Sequence, residues 1–483
     1  MNAGKPKSEE RASVDYTTKW KNIDWNLVEQ VVNRLQSRIA KAAREGRYNR
    51  VKILQYLLEK SYSAKLLAVK KVITNKGKRT AGVDGKLWDT AEKKYKGALE
   101  LSNKGYKAKP LKRTYIKKAN GKQRPLGIPT MYDRAMQALY ALSLDPVAET
   151  VISKPTFGFR KHRSGKDAAS YIYNCMSQKT CATWVLEGDI KGCFDNISHQ
   201  WLMENIPMNK RILKQFLKAG YIYKKELYPT EDGTPQGGII SPILANLTLN
   251  GLAELLTQKY SSSKRGTISP KHNINKIHII VYADDFIITA SNEEILHQVK
   301  QDIETFLIVR GLELSKEKTI ITHINNGFDF LGWTFRKFNT KLIITPSKKS
   351  VKSHCKKTAE TVRINLMQKQ EVLIKELNPI IRGWCNYHRS ICAKSTFQKV
   401  DRILFYTLWR WTKRRHPRKS KTWRKNRYFT QTSTRDWIFD SNKNRLLFAS
   451  DIKIVRHMLI KFEAHPYLKE FDDYYRRRKH AVC

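Results

Sequence analysis

Asp284 and Asp285 are adjacent acids set between two apolar runs, IHIIV and FIITA. Two neighbouring carboxylates in such a turn repel each other and cannot pack into a core, and cations that neutralise them remove the conflict. Taken alone, the pair also fits an ordinary polar hairpin tip, where Asp is common. A third acid, Asp189, ends the apolar stretch ATWVLEGDI (182–190). That is an expensive place for a lone charge unless it meets a metal or a partner. A strand-end carboxylate together with a hairpin pair is what two-metal phosphoryl transfer requires, because metals about 3.5–4 Å apart need ligands from two elements. Such a site activates an attacking hydroxyl and holds a triphosphate. Mg²⁺ suits it, since every ligand is an oxygen.

These acids need a rigid frame. Residues 276–291 read as two strands around the acidic turn, and 182–190 as a strand running into a turn. Helices are expected over 25–73, where Val28, Val31, Leu35, Ile39 and Ala42 fall at helical spacing and Val51, Leu54, Leu57 and Leu58 begin a second face. Residues 111–130 read as a hairpin turning at Asn120-Gly121, and 131–150 as a helix. In 234–256 a loop feeds a helix, with Ser241 as N-cap, Pro242 in the first turn, and Ile243, Leu247, Leu252 and Leu256 as its buried stripe. Residues 259–276 form a polar connector.

The bulk numbers fit a nucleic-acid partner. The chain has 483 residues, 41% hydrophobic and 10% aromatic, which suits several folded domains. Lys and Arg number 92 against 43 acids, a formal charge of +49. Such an excess repels itself and calls for a polyanion. No apolar run reaches the roughly 20 residues of a membrane span. The N-terminal residues suggest neither a secretory signal nor a transit peptide. The seven cysteines form no CxxC pair, which argues against a disulfide framework or a zinc cluster and points to a reducing cytoplasm.

Six blocks occur in order: NGKQRPLGIPT, FGFRKHRSGKDA, EGDIKGCFDNISH, GTPQGGIISPILANL, VYADD and FDFLGW. Over about residues 25–335 they resemble the group II intron reverse transcriptases. The resemblance implies an α+β right-hand polymerase with fingers and palm, an N-terminal helical extension and a helical thumb or maturase X domain. It implies Asp189 and Asp284 as principal metal ligands and Asp285 as the third carboxylate, around two Mg²⁺ ions. Phe194, five residues after Asp189, looks like the steric gate against a 2′-hydroxyl, although a packed core aromatic would fit the same spacing. Lys118 and Arg124 look like the clamp on the triphosphate. This chain has Ile116-Lys117-Lys118 where the family commonly has Ile-Pro-Lys, so Lys117 and Lys118 are both candidates. Gln236 would contact template or nucleotide, with Gly237 and Gly238 allowing close backbone approach. Lys318 matches a candidate general acid for pyrophosphate, or is a solvated lysine.

Composition shifts near residue 336. From there to 430 the net charge is about +22, with Trp, Tyr and Phe interleaved. The blocks LNPIIRGWCNYH and LWRWTKRRHPRKSKTWRKNRYF resemble the maturase domain, standing where a polymerase thumb belongs. Three helices with basic faces and exposed aromatics grip phosphates and stack bases. Arg382, Trp384, Arg414, Arg415, Arg418 and Lys419 are the expected RNA contacts. A plain basic thumb holding template–primer is the simpler alternative. The division expected is 1–90 for the extension, 91–335 for fingers and palm, 336–430 for thumb and maturase domain, and 431–483 for a basic, DNA-binding-like tail. Relatives with an endonuclease carry Cys pairs and a His-Asn-His site, and no such motif occurs in 433–483. Asp440, Asp451 and His457 read as scattered surface polar residues rather than a nuclease site.

Together these features imply an RNA-directed DNA polymerase and maturase. Its partners would be its intron RNA, an RNA template with DNA primer, deoxynucleoside triphosphates and target DNA, with no membrane. The setting would be a ribonucleoprotein in a bacterial cytoplasm. The rivals are a domesticated reverse transcriptase of defence or repair, and a splicing factor alone. Intact Asp189, Asp284, Asp285, Gln236 and Lys118 speak against the second.

Overall fold

The computed structural model describes residues 15–117, 121, 123–263, 265–269, 273–433 and 435–482. Lys118, Asn120 and part of the 259–276 connector lie outside them.

The central element is a four-stranded antiparallel sheet. Its spatial order is His278–Tyr282, Asp285–Ala290, Trp184–Asp189, Ile320–His323. Side chains alternate across a strand. Here both faces are covered: Leu186, Ile279, Phe286 and Ile288 pack into one core, and Val185, Ile280 and Ile287 into the other. Burial on both sides is why these strands read as unbroken apolar runs rather than an alternation.

The first core is closed by N-terminal helices. Trp25–Arg44, Tyr48–Lys60 and Tyr62–Thr74 pack around the long helix Met131–Val151. Of the expected stripe on the first of them, Val28, Ile39 and Ala42 are buried, and between them the buried positions fall one residue later than expected. Val32 and Gln36 are buried, while Val31 and Leu35 are half-buried. Gln36 is tolerated inside because its Nε2 donates to the Leu142 carbonyl at 2.8 Å.

The expected hairpin is formed by Leu111–Lys117 and Gln123–Ile128, with Ile116 opposite Arg124. Two short strands, Tyr221–Tyr223 and Glu226–Tyr228, extend its sheet. Helix Ser241–Thr248 departs from expectation at its start. Ser241 is its first residue, Ile240 is the cap, and the Ser241 hydroxyl donates to the Pro235 carbonyl at 3.0 Å. It ends at Thr248, so of the expected stripe it carries Ile243, half-buried, and Leu247, buried, while Leu252 and Leu256 are buried on a separate helix, Leu252–Tyr260.

A three-stranded sheet, Phe328–Phe330, Trp333–Phe338 and Lys341–Pro346, leads into the basic third of the chain. Residue 336 falls inside its middle strand. Helices Lys348–Ile364, Gln370–His388 and Lys394–Arg415 follow, then the shorter Lys421–Tyr428. The tail returns to the body of the molecule. His457 Nε2 and the Ile460 amide reach the buried carboxylate of Asp167, each at 3.0 Å, and Arg478 joins them. Tyr467 donates to Asp145, and His465 lies 3.0 Å from the Thr150 hydroxyl. Among the described residues, no helix is long and apolar enough to cross a membrane.

Candidate active site and nucleic-acid surface

The sheet register brings the acids together. Asp189 and Asp285 are directly opposed cross-strand partners, and Asp284 sits in the turn joining Tyr282 to Asp285. Gly188 is required on the strand, since a Cβ there would lie 2.2 Å from the ring of its partner Phe286. Ala283 takes a positive φ of 59° in the turn, and the Ile190 amide donates to the Asp284 carbonyl at 3.2 Å. Burial, then the neighbouring charges of Asp284 and Asp189, push the Asp285 carboxyl up to about 7. Burial pushes the Cys193 thiol up to about 12, with Asp284, Asp189 and Asp195 adding to it. Burial beside Asp329 raises Glu187, two residues before Asp189, to about 7.

This crowding of negative charge attracts cations, and the structure supplies one. Lys318 Nζ lies 2.9 Å from each carboxylate oxygen of Asp189. Its own pKa is raised above the lysine value, chiefly by that hydrogen bond. The turn carrying Lys318 is anchored because the Ser315 amide donates to the Asp189 carbonyl at 2.8 Å. Lys318 is therefore not a free surface lysine. Among the described residues, no three Asp, Glu, His or Cys groups stand at cation-holding geometry. The acids converge, and the ammonium takes the position of positive charge beside Asp189. The all-oxygen donor set and this stand-in cation fit hard divalent ions.

Arg124, Gln236 and Asp195 form a chain. Arg124 Nε donates to Gln236 Oε1 at 2.7 Å, and Gln236 Nε2 donates to Asp195 Oδ2 at 2.7 Å. The loop that carries Gln236 is pressed onto the turn after Asp189. A Cβ at Gly233 would meet the Asp195 backbone at 2.5 Å, and the Thr234 amide donates to the Phe194 carbonyl at 2.6 Å. Gly237 has φ 109°, and the Gln236 carbonyl accepts from the Gly127 amide at 3.0 Å, tying loop to hairpin. Phe194 is half-buried. With Gln236 it lines a cavity of about 330 Å³ under the hairpin sheet, whose walls do not include the three aspartates. Asp195 escaped the sequence reading, although it stands beside Phe194 in the same block. A carboxylate there needs a donor, and that was the available signal.

The expected RNA contacts divide. Arg382, Arg414, Arg418 and Lys419 are exposed. Trp384 is packed between helices: its ring stacks on His354 at 4.4 Å, its Nε1 donates to Ser350 Oγ at 3.1 Å, and Phe397 meets it edge-on. The ring is half-buried, with one face stacked on His354. Arg415 donates to the carbonyls of Leu366 and Gln368, closing the loop after Lys348–Ile364. Asp440 and Asp451 are paired separately, with Arg445 and Arg435, and His457 with Asp167.

Three stretches of the chain match known families. The family described as reverse transcriptase (RNA-dependent DNA polymerase) matches residues 116–335. The N-terminal domain of reverse transcriptase matches 20–101, and the group II intron, maturase-specific domain matches 351–429. The group II intron-encoded protein LtrA of Lactococcus lactis subsp. cremoris is 31% identical over 402 residues, covering 70% of this chain and 66% of its own length. Protein YkfC of Escherichia coli (strain K12) is 30% identical over 338 residues, covering 62% and 87%. A putative COX1/OXI3 intron 1 protein of Saccharomyces cerevisiae is 24% identical over 376 residues, covering 67% and 44%. The chain thus spans just under two thirds of LtrA.

Proposed function

The chain belongs to the group II intron-encoded reverse transcriptases and maturases, and we propose that it copies RNA into DNA from a 3′-hydroxyl primer and assists the splicing of its own intron RNA. The observation that carries the polymerase reading is the cross-strand opposition of Asp189 and Asp285 with Asp284 in the turn. These three carboxylates would hold two Mg²⁺ ions. When bound, the ions lower the pKa of the primer hydroxyl and stabilise charge on the departing pyrophosphate.

The other residues position the reactants. Gln236 joins Arg124 on the hairpin to Asp195 beside the palm, so the fingers and the catalytic sheet share one hydrogen-bond chain. In our reading an incoming deoxynucleoside triphosphate recruits the Arg124 guanidinium to its phosphates, together with Lys117 from the same hairpin or Lys118, the next residue in the sequence. The Phe194 ring lies under the sugar and rejects the 2′-hydroxyl. The exposed basic face of the C-terminal helices binds intron RNA, and the ribozyme performs the splicing chemistry. The excised RNA and the protein would then act together on target DNA, as a ribonucleoprotein in a bacterial cytoplasm.

The test is extension of a DNA primer on an annealed RNA template with Mg²⁺, comparing wild type with Asp284→Asn/Asp285→Asn. Loss of the two carboxylate charges that would hold the ions costs several kcal/mol of transition-state stabilisation, so the rate falls about 10³-fold or more. Binding to structured RNA persists, since it rests on another surface. Extension by the double variant near the wild-type rate would overturn the assignment.

A further inference from the structure

Phe159 is a bulky aromatic held with φ 59° and 54% exposed. Both features are unfavourable. A side chain of this size rarely adopts the left-handed region, and an exposed ring gains little from burial. Such a conformation persists only where its surroundings over-determine it. The surroundings here do so on both sides.

Before Phe159, the Phe157 amide donates to the Val281 carbonyl at 2.8 Å. Gly158 lies flat against the acidic turn, where a Cβ would stand 2.3 Å from the Ala283 nitrogen. The Gly158 carbonyl accepts from Asn246 Nδ2 at 2.8 Å. After Phe159, Arg160 makes a buried ion pair with Glu149, Nε and Nη2 lying 3.0 and 2.9 Å from one carboxylate oxygen. Arg160 Nη1 also donates to the Ser153 carbonyl at 3.0 Å. The chain on either side of Phe159 is thus locked to the catalytic turn and to the long helix.

What the locked backbone presents is a ring against a ring. Phe159 meets Phe194 with centroids 6.2 Å apart and planes at 77°, a favourable edge-to-face contact. Phe194 is held from behind by its backbone, through the Thr234 amide, and only half-buried by its neighbours.

We infer that Phe159 is a positioning residue for sugar selection: its ring braces Phe194 from the side of the catalytic turn and limits how far Phe194 yields to a ribonucleotide. This rests on reading Phe194 as the sugar gate. It adds a residue from a different block, coupled by its backbone to the Asp284–Asp285 turn.

The experiment measures single-nucleotide kcat/KM for a deoxy- and a ribonucleoside triphosphate on one RNA template and DNA primer. The enzymes are wild type, Phe194→Ala, Phe159→Ala, Phe159→Gly, Phe159→Tyr and Phe159→Ala/Phe194→Ala. The deoxy-to-ribo ratio is the readout, because damage to the fold lowers both sugars alike. Phe159→Ala lowers the ratio about three- to tenfold, the size of one aromatic contact. Phe159→Gly, which relieves the backbone strain but removes the ring, lowers it equally. Phe159→Tyr keeps it near wild type, and the double variant falls no further than Phe194→Ala. An altered ratio in Phe194→Ala with an unchanged ratio in both ring-deleted Phe159 variants overturns the inference and leaves the gate in place. An unchanged ratio in Phe194→Ala overturns the gate, and the inference with it.

Discussion

Lys318 and Asp189, 129 residues apart in the chain, meet at 2.9 Å on both carboxylate oxygens. The lysine side chain is 64% exposed and the aspartate 15%. An ammonium in that position offsets the repulsion among the acids and competes with any metal for Asp189. Lys318→Met keeps the stem and removes the charge. It should lower the Mg²⁺ concentration for half-maximal primer extension by up to about fivefold, since a largely exposed pair contributes at most about 1 kcal/mol. A magnesium titration of extension rate decides this. An unchanged or higher requirement means that Lys318 does not compete at the site.

The acids themselves were legible because charge in an apolar strand is costly wherever it occurs, and strand ends can be read locally. The Lys318 contact was not, because nothing local aims a lysine at a strand 129 residues away. Trp384 and Arg415 mark another limit. Aromatic and basic residues in a positively charged segment serve equally to bind nucleic acid and to hold helices together, and only packing separates the uses. The burial of Gln36 was not legible either, because its carbonyl partner, Leu142, lies on a distant helix. The tail was the least legible. Its anchors, Asp145 and Asp167, are about three hundred residues upstream.

A second prediction concerns pH. Glu59 is buried in helix Tyr48–Lys60, accepts from the Ser143 hydroxyl at 2.8 Å, and is pushed by burial up to about 7. The folded protein therefore holds this acid neutral, while the unfolded chain ionises it near 4.5. Stability falls as pH rises between those two values and is level above them. Glu59→Gln keeps the acceptor oxygen and cannot ionise. It should raise the unfolding midpoint above neutrality, by an amount worth at most about 3 kcal/mol, with little gain near about pH 5. Thermal unfolding at both pH values is the check. An equal difference at the two would mean that Glu59 does not titrate with folding.

A third prediction concerns the tail. Asp167 is fully buried and accepts from the Ser164 amide at 2.9 Å and hydroxyl at 2.8 Å, as well as from His457, Ile460 and Arg478. Burial opposes its charge, but His457 and Arg478 outweigh burial and hold its pKa below the usual value. Asp167→Asn removes the charge and turns an NH₂ group toward other donors. Breaking a buried pair from one side costs about 3–5 kcal/mol. Limited proteolysis should then cut within residues 452–482 much faster than in wild type, with the remaining chain more resistant. Equal cutting rates would show that the tail is held by its other contacts alone.

The last prediction separates two kinds of arginine in the basic segment. Arg414, Arg418 and Lys419 are exposed, and the Lys419 ammonium lies over the Trp423 ring at 5.3 Å. Arg415 closes the 365–368 loop through two carbonyls and lies over Trp411 at 5.2 Å. Replacing the three exposed residues by Ala should weaken intron RNA binding with little change in the unfolding midpoint. Each lost phosphate contact removes released counterions, so the slope of log affinity against log salt should flatten by close to one unit per contact, about two to three in all. Arg415→Ala should do the reverse, lowering the midpoint and leaving the slope nearly unchanged. Short-template extension should fall much less than splicing at low magnesium for the triple variant, because the aspartates and the Arg124–Gln236–Asp195 chain lie on other elements. If extension and splicing fall equally, the exposed run grips template–primer as a polymerase thumb, and a separate intron-recognition role for this surface is lost. If the salt slope is unchanged, these side chains do not touch phosphate, and the charge of the segment acts elsewhere along the three helices.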